Sequence, residues 1–320
     1  MIKNIIGNTP MIKINYEYKG KNKYIFTKLE YYNLTGSIKD RVAYYIINKA
    51  KQRGDLKDGM PIIEATSGNT GIALAALGAF YNHPVHIFMP DWASKERIDL
   101  IKSYGANITL FSKDDGGFIR CVDEARKMVQ NNNAFLANQF ASEDNFLAHY
   151  ETTAKEIIDQ VPERIYGFVS GVGTGGTLMG TGKRIKEEFK ELQIVAIEPD
   201  KMPIISQGKV ISQHKIEGIG DDFVPDLVDR EAIDDIILVN DNDAINMSRR
   251  LAKELGLGVG ISSGANFIGS ILLEEKLNKP VDDNKKYLST DLVKDIDKNK
   301  NFVSNKIKLK GITKVMYKNF

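Results

Sequence analysis

From residue 60 onward the chain alternates short runs rich in β-branched residues with longer stretches of helical character, and this alternation restricts the fold more than any other feature. MPIIEAT, PVHIFMP, NITLF and AFLAN have the composition and length of strands, and the stretches beginning at Asn69, Ser94 and Gly117 those of helices. Repeated strand–helix–strand units build parallel sheets. A second series starts near residue 164 with RIYGFVS, a helix from Gly175 to Lys190, QIVAIEP and DDIILVND. Two series predict two α/β lobes with a cleft between them, joined by a helix from His149 to Gln160. A chain of 320 residues has material for both cores.

Composition removes several classes of function. Lys and Arg total 44 against 42 Asp and Glu, and a net charge of +2 makes no electrostatic case for nucleic acid or an anionic membrane. The single cysteine, Cys121, excludes an intramolecular disulfide and fits a reducing cytosol; within FIRCVDEARKMV it is expected to be a buried, inert thiol. MIKNIIGNTPMIK lacks the apolar core of a signal peptide, and GIALAALGAF is too short to cross a bilayer. The expectation is a soluble, cytoplasmic protein. His83, His86, His149 and His214 show no zinc-binding spacing, so no metal is expected. The Lys-, Asp- and Asn-rich C-terminus predicts a polar surface tail with a helix and an edge strand at KIKLKGITKV.

Five stretches have the residues that chemistry needs. In NLTGSIKDR, Ser37 and Asp40 have the spacing of a capping box, which places Lys39 in the first turn of a helix. The helix dipole disfavours a cation there, and a lysine kept neutral can attack a carbonyl and abstract a proton. The same pattern also describes a capped helix with a solvated lysine. ATSGNTG lies between a strand and a helix, and its hydroxyls, amide and backbone N–H groups suit a carboxylate, or simply cap the helix. In SGVGTGGTLMG, Gly171, Gly173 and Gly176 make a G-x-G-x-x-G, with Glu198 at the distance of a ribose-binding acid. By itself the loop supports an anion without identifying it. GVGISSGANF offers hydroxyls at the start of the last long helix, and EGIGDDFVPD crowds acids around a glycine turn.

Taken in order, these stretches resemble the cysteine synthase and cystathionine β-synthase family of fold-type-II pyridoxal phosphate enzymes. NLTGSIKDR is similar to the family's lysine motif, TSGNTG to its substrate loop, GVGTGGT to its cofactor-phosphate loop and GISSG to its pyridine-nitrogen loop, over roughly residues 5 to 290. The resemblance implies two open twisted α/β lobes of the tryptophan synthase β-like architecture, with the cofactor in the cleft between them. It places the smaller domain at 1–12 and 36–147 and the larger, cofactor-binding domain at 13–35 and 148–320. It implies that Lys39 holds pyridoxal phosphate covalently and moves the Cα proton, and that Asn69 meets the ring oxygen. Gly173, Thr174, Gly175, Gly176 and Thr177 would bind the phosphate, and Ser262 the pyridine nitrogen. Thr66, Ser67 and Thr70, with Gln139, would bind the substrate carboxylate. A monophosphate then explains the glycine loop better than a dinucleotide, whose fingerprint normally follows the first strand of its domain.

The implied reaction is β-replacement through an α-aminoacrylate. A cysteine synthase uses O-acetylserine and sulfide, and this is the best label. A cystathionine β-synthase-like enzyme joins serine or cysteine to an amino-acid thiol, releasing hydrogen sulfide from cysteine, or adds water to give serine. Asp221 and Asp222, beside Gly218, stand where cysteine synthases usually carry small neutral residues. They would bind an incoming ammonium or activate water. They also argue against the serine acetyltransferase tail, a partner of some cysteine synthases. A homodimer is expected by resemblance. KPVDDNKKY has only Val281 where the family has an apolar strand, so that strand is expected to be missing or rebuilt at 279–284.

Overall fold

Residues 12–18 alternate apolar and polar side chains up to a Lys-Gly pair, and with residues 21–28 they fold as a hairpin. In the computed structural model, which describes residues 2–131, 133–277 and 303–314, β1 (Met11–Tyr18) pairs antiparallel with β2 (Lys21–Lys28). Lys19 and Gly20 take φ of 50° and 75°, as a two-residue type I′ turn requires. The chain divides into two compact units, Met1–Thr9 with Glu30–Thr152, and Pro10–Leu29 with Thr153–Phe320.

The first unit contains α1 (Lys39–Arg53), β3 (Ile62–Ala65), α2 (Asn69–Tyr81), β4 (Val85–Pro90), α3 (Lys95–Ser103), β5 (Asn107–Phe111), α4 (Gly117–Asn131), β6 (Phe135–Leu136) and α5 (Glu143–Ala148). Its sheet is parallel, in the order β5-β4-β3-β6. Alternate residues of β3 serve opposite faces. Ile62 joins Ile46 and Ile47 of α1 and Leu74 and Leu77 of α2, while Ile63 and Ala65 join Cys121 and Ala125 of α4. α2 is apolar on every side, as a helix enclosed by neighbours must be, and Thr70 to Gly78 are all buried. Gly78 permits its approach to β4, since a Cβ there would lie 2.2 Å from Val85 Cγ2.

The expected helix over 149–160 differs in form. A π turn, His149–Thr153, separates α5 from α6 (Ala154–Gln160). The Thr152 hydroxyl donates to the Ala148 carbonyl at 2.5 Å, competing with the helical ladder at this point.

The second unit contains the hairpin, α6, β7 (Gly167–Gly171), α7 (Gly176–Glu188), β8 (Gln193–Pro199), α8 (Ile204–Gln207), β9 (Asp235–Val239), α9 (Asp241–Leu255), α10 (Ile261–Leu277) and β10 (Ile307–Lys314). β7, β8 and β9 form a parallel sheet in that order. β10 pairs antiparallel with β1, giving the order β10-β1-β2, so the alternating C-terminal run is the expected edge strand. Both sheets share one core, in which Tyr16 meets Phe267 edge-on and packs with Val195, Ile197, Met247 and Ile307. The segment leading into β10 is pinned by Asp243, 2% exposed, which accepts from the N–H groups of Val303 at 3.3 Å and Ser304 at 2.8 Å. Arg250 donates to the carbonyls of Ser304 and Ile307. Residues 279–284, where the family's strand is expected to be missing or rebuilt, lie outside the described residues. Among the described residues no helix is long and apolar enough to cross a membrane.

Replacing Asp243 strands two buried N–H groups. Asp243→Ala is expected to lower stability by about 2 kcal/mol in urea unfolding and to make the chain cleavable by trypsin after Lys306 and Lys308 under native conditions.

Candidate active site

In the first unit the lysine motif is held by an ion pair between the buried Arg41 and the half-buried Glu30. Arg41, 2% exposed, makes a two-pronged bond to Glu30, at 2.7 Å from Nε to Oε2 and 2.9 Å from Nη2 to Oε1. Its remaining donors reach the hydroxyls of Thr9 and Thr152. Asn33 donates to Glu30 and accepts from the Gly7 N–H. Asp40 accepts from the N–H and hydroxyl of Thr35 and from the N–H of Ser37. Burial raises its pKa against those donors. The capping box is thus half formed, because Ser37 Oγ accepts from the Lys39 N–H, not from that of Asp40. Lys39 is the first residue of α1 and is half-buried.

His149, on the π turn, is fully buried. Burial first, then the positive charges of Lys39 and Arg41, hold its pKa well below the usual histidine range. The sequence carried no signal for this influence of Lys39, since it depends on the tertiary placement of the π turn.

The loop after β3 and Gln139 form one hydrogen-bonded unit. Thr70 Oγ1 donates to Gln139 Oε1 at 2.5 Å, and Gln139 Nε2 donates to the Ala65 carbonyl at 3.1 Å. Glu64, which the motif reading overlooked, accepts from the Gln139 N–H. Thr66 is buried and accepts from the Gly68 N–H. Ser67 and Asn69 are exposed. Cys121 is buried, donates to the Gly117 carbonyl and has its pKa pushed up to about 11 by burial, so it is a poor nucleophile at neutral pH.

In the second unit the glycine loop runs from the end of β7 into α7. Gly175 takes φ of 87°, and a Cβ on it would lie 2.6 Å from Val228 Cγ2. A Cβ on Gly173 would lie 2.6 Å from the carbonyl oxygen of Gly218, so the loop and the turn before Asp221 are in contact through bare backbone. Gly220 donates to the Val172 carbonyl and closes that contact. His214 holds the turn as well, accepting from the Ile216 N–H at Nδ1 and donating from Nε2 to the Gly220 carbonyl at 2.8 Å. Asp221 is half-buried and Asp222 exposed. Ser262 lies in the first turn of α10, one turn before Asn266, which accepts from the Gly171 N–H. Glu198 is 2% exposed and accepts from the N–H groups of Ile205 and Ser206 at the start of α8, so its carboxylate is committed within the fold.

The family described as pyridoxal-phosphate dependent enzyme matches residues 2–286. The chain is 38% identical to a probable cysteine synthase of Bacillus subtilis over 300 residues, covering 90% of this chain and 96% of that one. It is 48% identical to the hydrogen sulfide-producing enzyme of Fusobacterium nucleatum, with a TM-score of 0.90 over 99% of this chain and 98% of that one. That enzyme has also been solved as an Asp-to-Asn mutant complexed with an α-aminoacrylate intermediate. The cysteine synthase of Entamoeba histolytica is 36% identical with a TM-score of 0.82, covering 96% and 93%.

Since the folded His149 binds its proton less readily than the unfolded chain does, its contribution to stability is complete above about pH 6.5 and is lost as the pH falls below it. The expected excess slope is about 1.4 kcal/mol per pH unit, and it should be absent in His149→Gln when melting is followed from pH 7.5 to 5.5.

Proposed function

This chain belongs to the pyridoxal-phosphate-dependent enzymes, and we infer that it catalyses β-replacement on a serine-like amino acid with a sulfur nucleophile, as a cysteine synthase does. The observation that carries the reading is a lysine at a helix start, fixed by buried charges, in a chain that also carries a glycine cradle at the start of α7.

The cradle fits a phosphate monoester. The first-turn N–H groups of α7 have no acceptor within the helix, and the closeness of Gly173 and Gly175 to their neighbours leaves backbone where side chains would stand. Gly173, Gly175 and Gly176, with Thr174 and Thr177, would bind the phosphate. Lys39 would hold the cofactor covalently, Asn69 would meet its ring oxygen, and Ser262 would offer its pyridine nitrogen a neutral hydroxyl. Bound there, pyridoxal phosphate supplies a sink for the electrons of the broken Cα–H bond. Lys39 Nζ removes the Cα proton. Ser67, Thr66, Thr70 and Gln139 would hold the donor's carboxylate. With O-acetylserine and sulfide the products are cysteine and acetate. We place the enzyme in the cytoplasm, as a homodimer and without serine acetyltransferase as partner.

A second reading takes cysteine as donor and releases hydrogen sulfide. The likeness to a hydrogen sulfide-producing enzyme and the half-buried Asp221 favour it. Water then adds to Cβ to give serine, with Asp221 taking its proton, or an amino-acid thiol adds to give a thioether.

The visible spectrum is to be followed as O-acetylserine, serine and cysteine are added separately, with free sulfide assayed. A band shift with O-acetylserine that sulfide reverses supports the first reading; a shift with cysteine and accumulating sulfide supports the second. The absence of any coloured cofactor after loading with pyridoxal phosphate would overturn both. Lys39→Ala is expected to lower turnover by about 10³-fold or more with either donor. Asp221→Asn is expected to slow cysteine-dependent sulfide release by about 10²-fold while sparing the initial band shift.

A further inference from the structure

Glu64 is a carboxyl group in the interior of the first unit. It lies on β3 between Ile63 and Ala65, 3% exposed, in a four-residue strand that is buried throughout. Its Oε1 accepts from the Ala65 N–H at 2.7 Å and its Oε2 from the Gln139 N–H at 3.0 Å. Burial raises its pKa to about 7, against the pull of those two N–H donors. An apolar residue would lie in such a strand at less cost, because taking a carboxyl group out of water is unfavourable without strong compensation.

Its two bonds have a common destination. Gln139 stands after β6, and Asn138 before it takes φ of 51°, a backbone state that few non-glycine residues adopt unaided. The Glu64 bond to the Gln139 N–H and the Asn145 bond to the Gln139 carbonyl, at 2.8 Å, fix this residue from both sides of its backbone. The side chain of Gln139 then receives the Thr70 hydroxyl and donates to the Ala65 carbonyl. A ring of hydrogen bonds therefore runs from Glu64 through Gln139 and Ala65 back to Glu64, and Gln139 Oε1 extends it to the Thr70 hydroxyl at the start of α2. Thr70 has one hydroxyl proton and gives it to Gln139 Oε1, so it fixes the amide of Gln139, whose second Nε2 N–H is the donor this pair keeps for a carboxylate.

We propose that Glu64 is a positioning residue for recognition of the donor's carboxylate, acting through Gln139 and Thr70 without touching the substrate. The proposal rests on the reading that the Thr66–Thr70 loop and Gln139 bind that carboxylate. A side chain that holds only the fold would change stability and leave the affinity for donor alone. Glu64 instead sets the orientation of the groups that meet the donor.

The experiment measures KM and kcat of the enzyme loaded with pyridoxal phosphate, with O-acetylserine and with cysteine as donor, together with the apparent Kd of each from the visible band shift and the melting temperature. It compares wild type, Glu64→Gln, Glu64→Leu and Thr70→Ala. Glu64→Gln keeps one acceptor and is expected to raise KM and Kd about tenfold with kcat within about twofold; Glu64→Leu keeps neither and raises them further. If Thr70→Ala raises KM but Glu64→Gln does not, the role of Glu64 is overturned and the substrate-loop reading stands. If Thr70→Ala leaves KM unchanged, the substrate-loop reading falls and the proposal with it. A lower melting temperature with unchanged KM in Glu64→Gln also overturns the proposal. Glu64→Gln decides the matter alone if Glu64→Leu fails to fold.

Discussion

In the first unit β3 is hydrogen-bonded in parallel to β4 on one side and β6 on the other, so the loops leaving β3 and β6 emerge on the same edge of the sheet. That is why Thr70 and Gln139, 69 residues apart, share a hydrogen bond. The second unit repeats the principle. β7 and β8 are parallel, and the glycine loop leaves the carboxyl end of β7 for the start of α7. Parallel pairing brings helix N-termini, with their unsatisfied N–H groups, to the ends of the strands. An anion-binding loop needs few residues beyond small ones once that geometry exists.

The irregular segments around those loops are fixed by buried carboxylates that accept backbone N–H groups. Asp40 does this for Thr35 and Ser37, Glu64 for Ala65 and Gln139, Glu198 for Ile205 and Ser206, and Asp243 for Val303 and Ser304. Asp241 adds the Lys215 N–H and the Lys201 ammonium. A loop cannot satisfy its own N–H groups as a helix or sheet does, and each one left buried and unpaired costs about 1–3 kcal/mol. A carboxylate accepts two such groups at once and offsets part of its own desolvation in doing so. The device orders a loop without covering it, which suits segments that must face a ligand.

The strand–helix alternation and the four motifs were legible because each is local: a composition, a spacing, a strand followed by small polar residues. The β1–β2 hairpin was equally local, with period-two alternation up to Lys19–Gly20, but lysine at the first turn position hides the type I′ signal that Asn or Asp would give. β10 was legible as a strand, but its partner was not, because Asn15 pairs with Gly311 across nearly the whole chain. Glu64 and Arg41 escaped notice for the same reason. Nothing within a few residues of either distinguishes a buried anchor from a surface charge; Glu64 acquires its role from Gln139 and Arg41 from Glu30, Thr9 and Thr152. The π turn depends on Thr152 choosing a carbonyl over solvent, which residue type alone does not decide.

The turn at 218–222 shows where this framework can vary. Gly218 and Gly220 take φ of 86° and 75°, which residues with a side chain rarely adopt; a Cβ on Gly218 would meet nothing within 4 Å, but the space beside Gly220 is already claimed. The Gly218 carbonyl abuts Gly173, and a Cβ on Gly220 would lie 2.6 Å from Pro199 and 2.9 Å from His214. His214 can hold the Gly220 carbonyl and the Ile216 N–H together only as a neutral ring protonated at Nε2. A side chain at 220 would therefore press on Pro199 and His214, and one at 218 would strain a backbone whose carbonyl abuts the loop proposed to bind phosphate. Asp221 and Asp222 have no such constraint: one is half-buried, the other exposed, and neither backbone needs positive φ. The backbone at these two positions therefore admits residues other than glycine, while the glycine turn behind them does not.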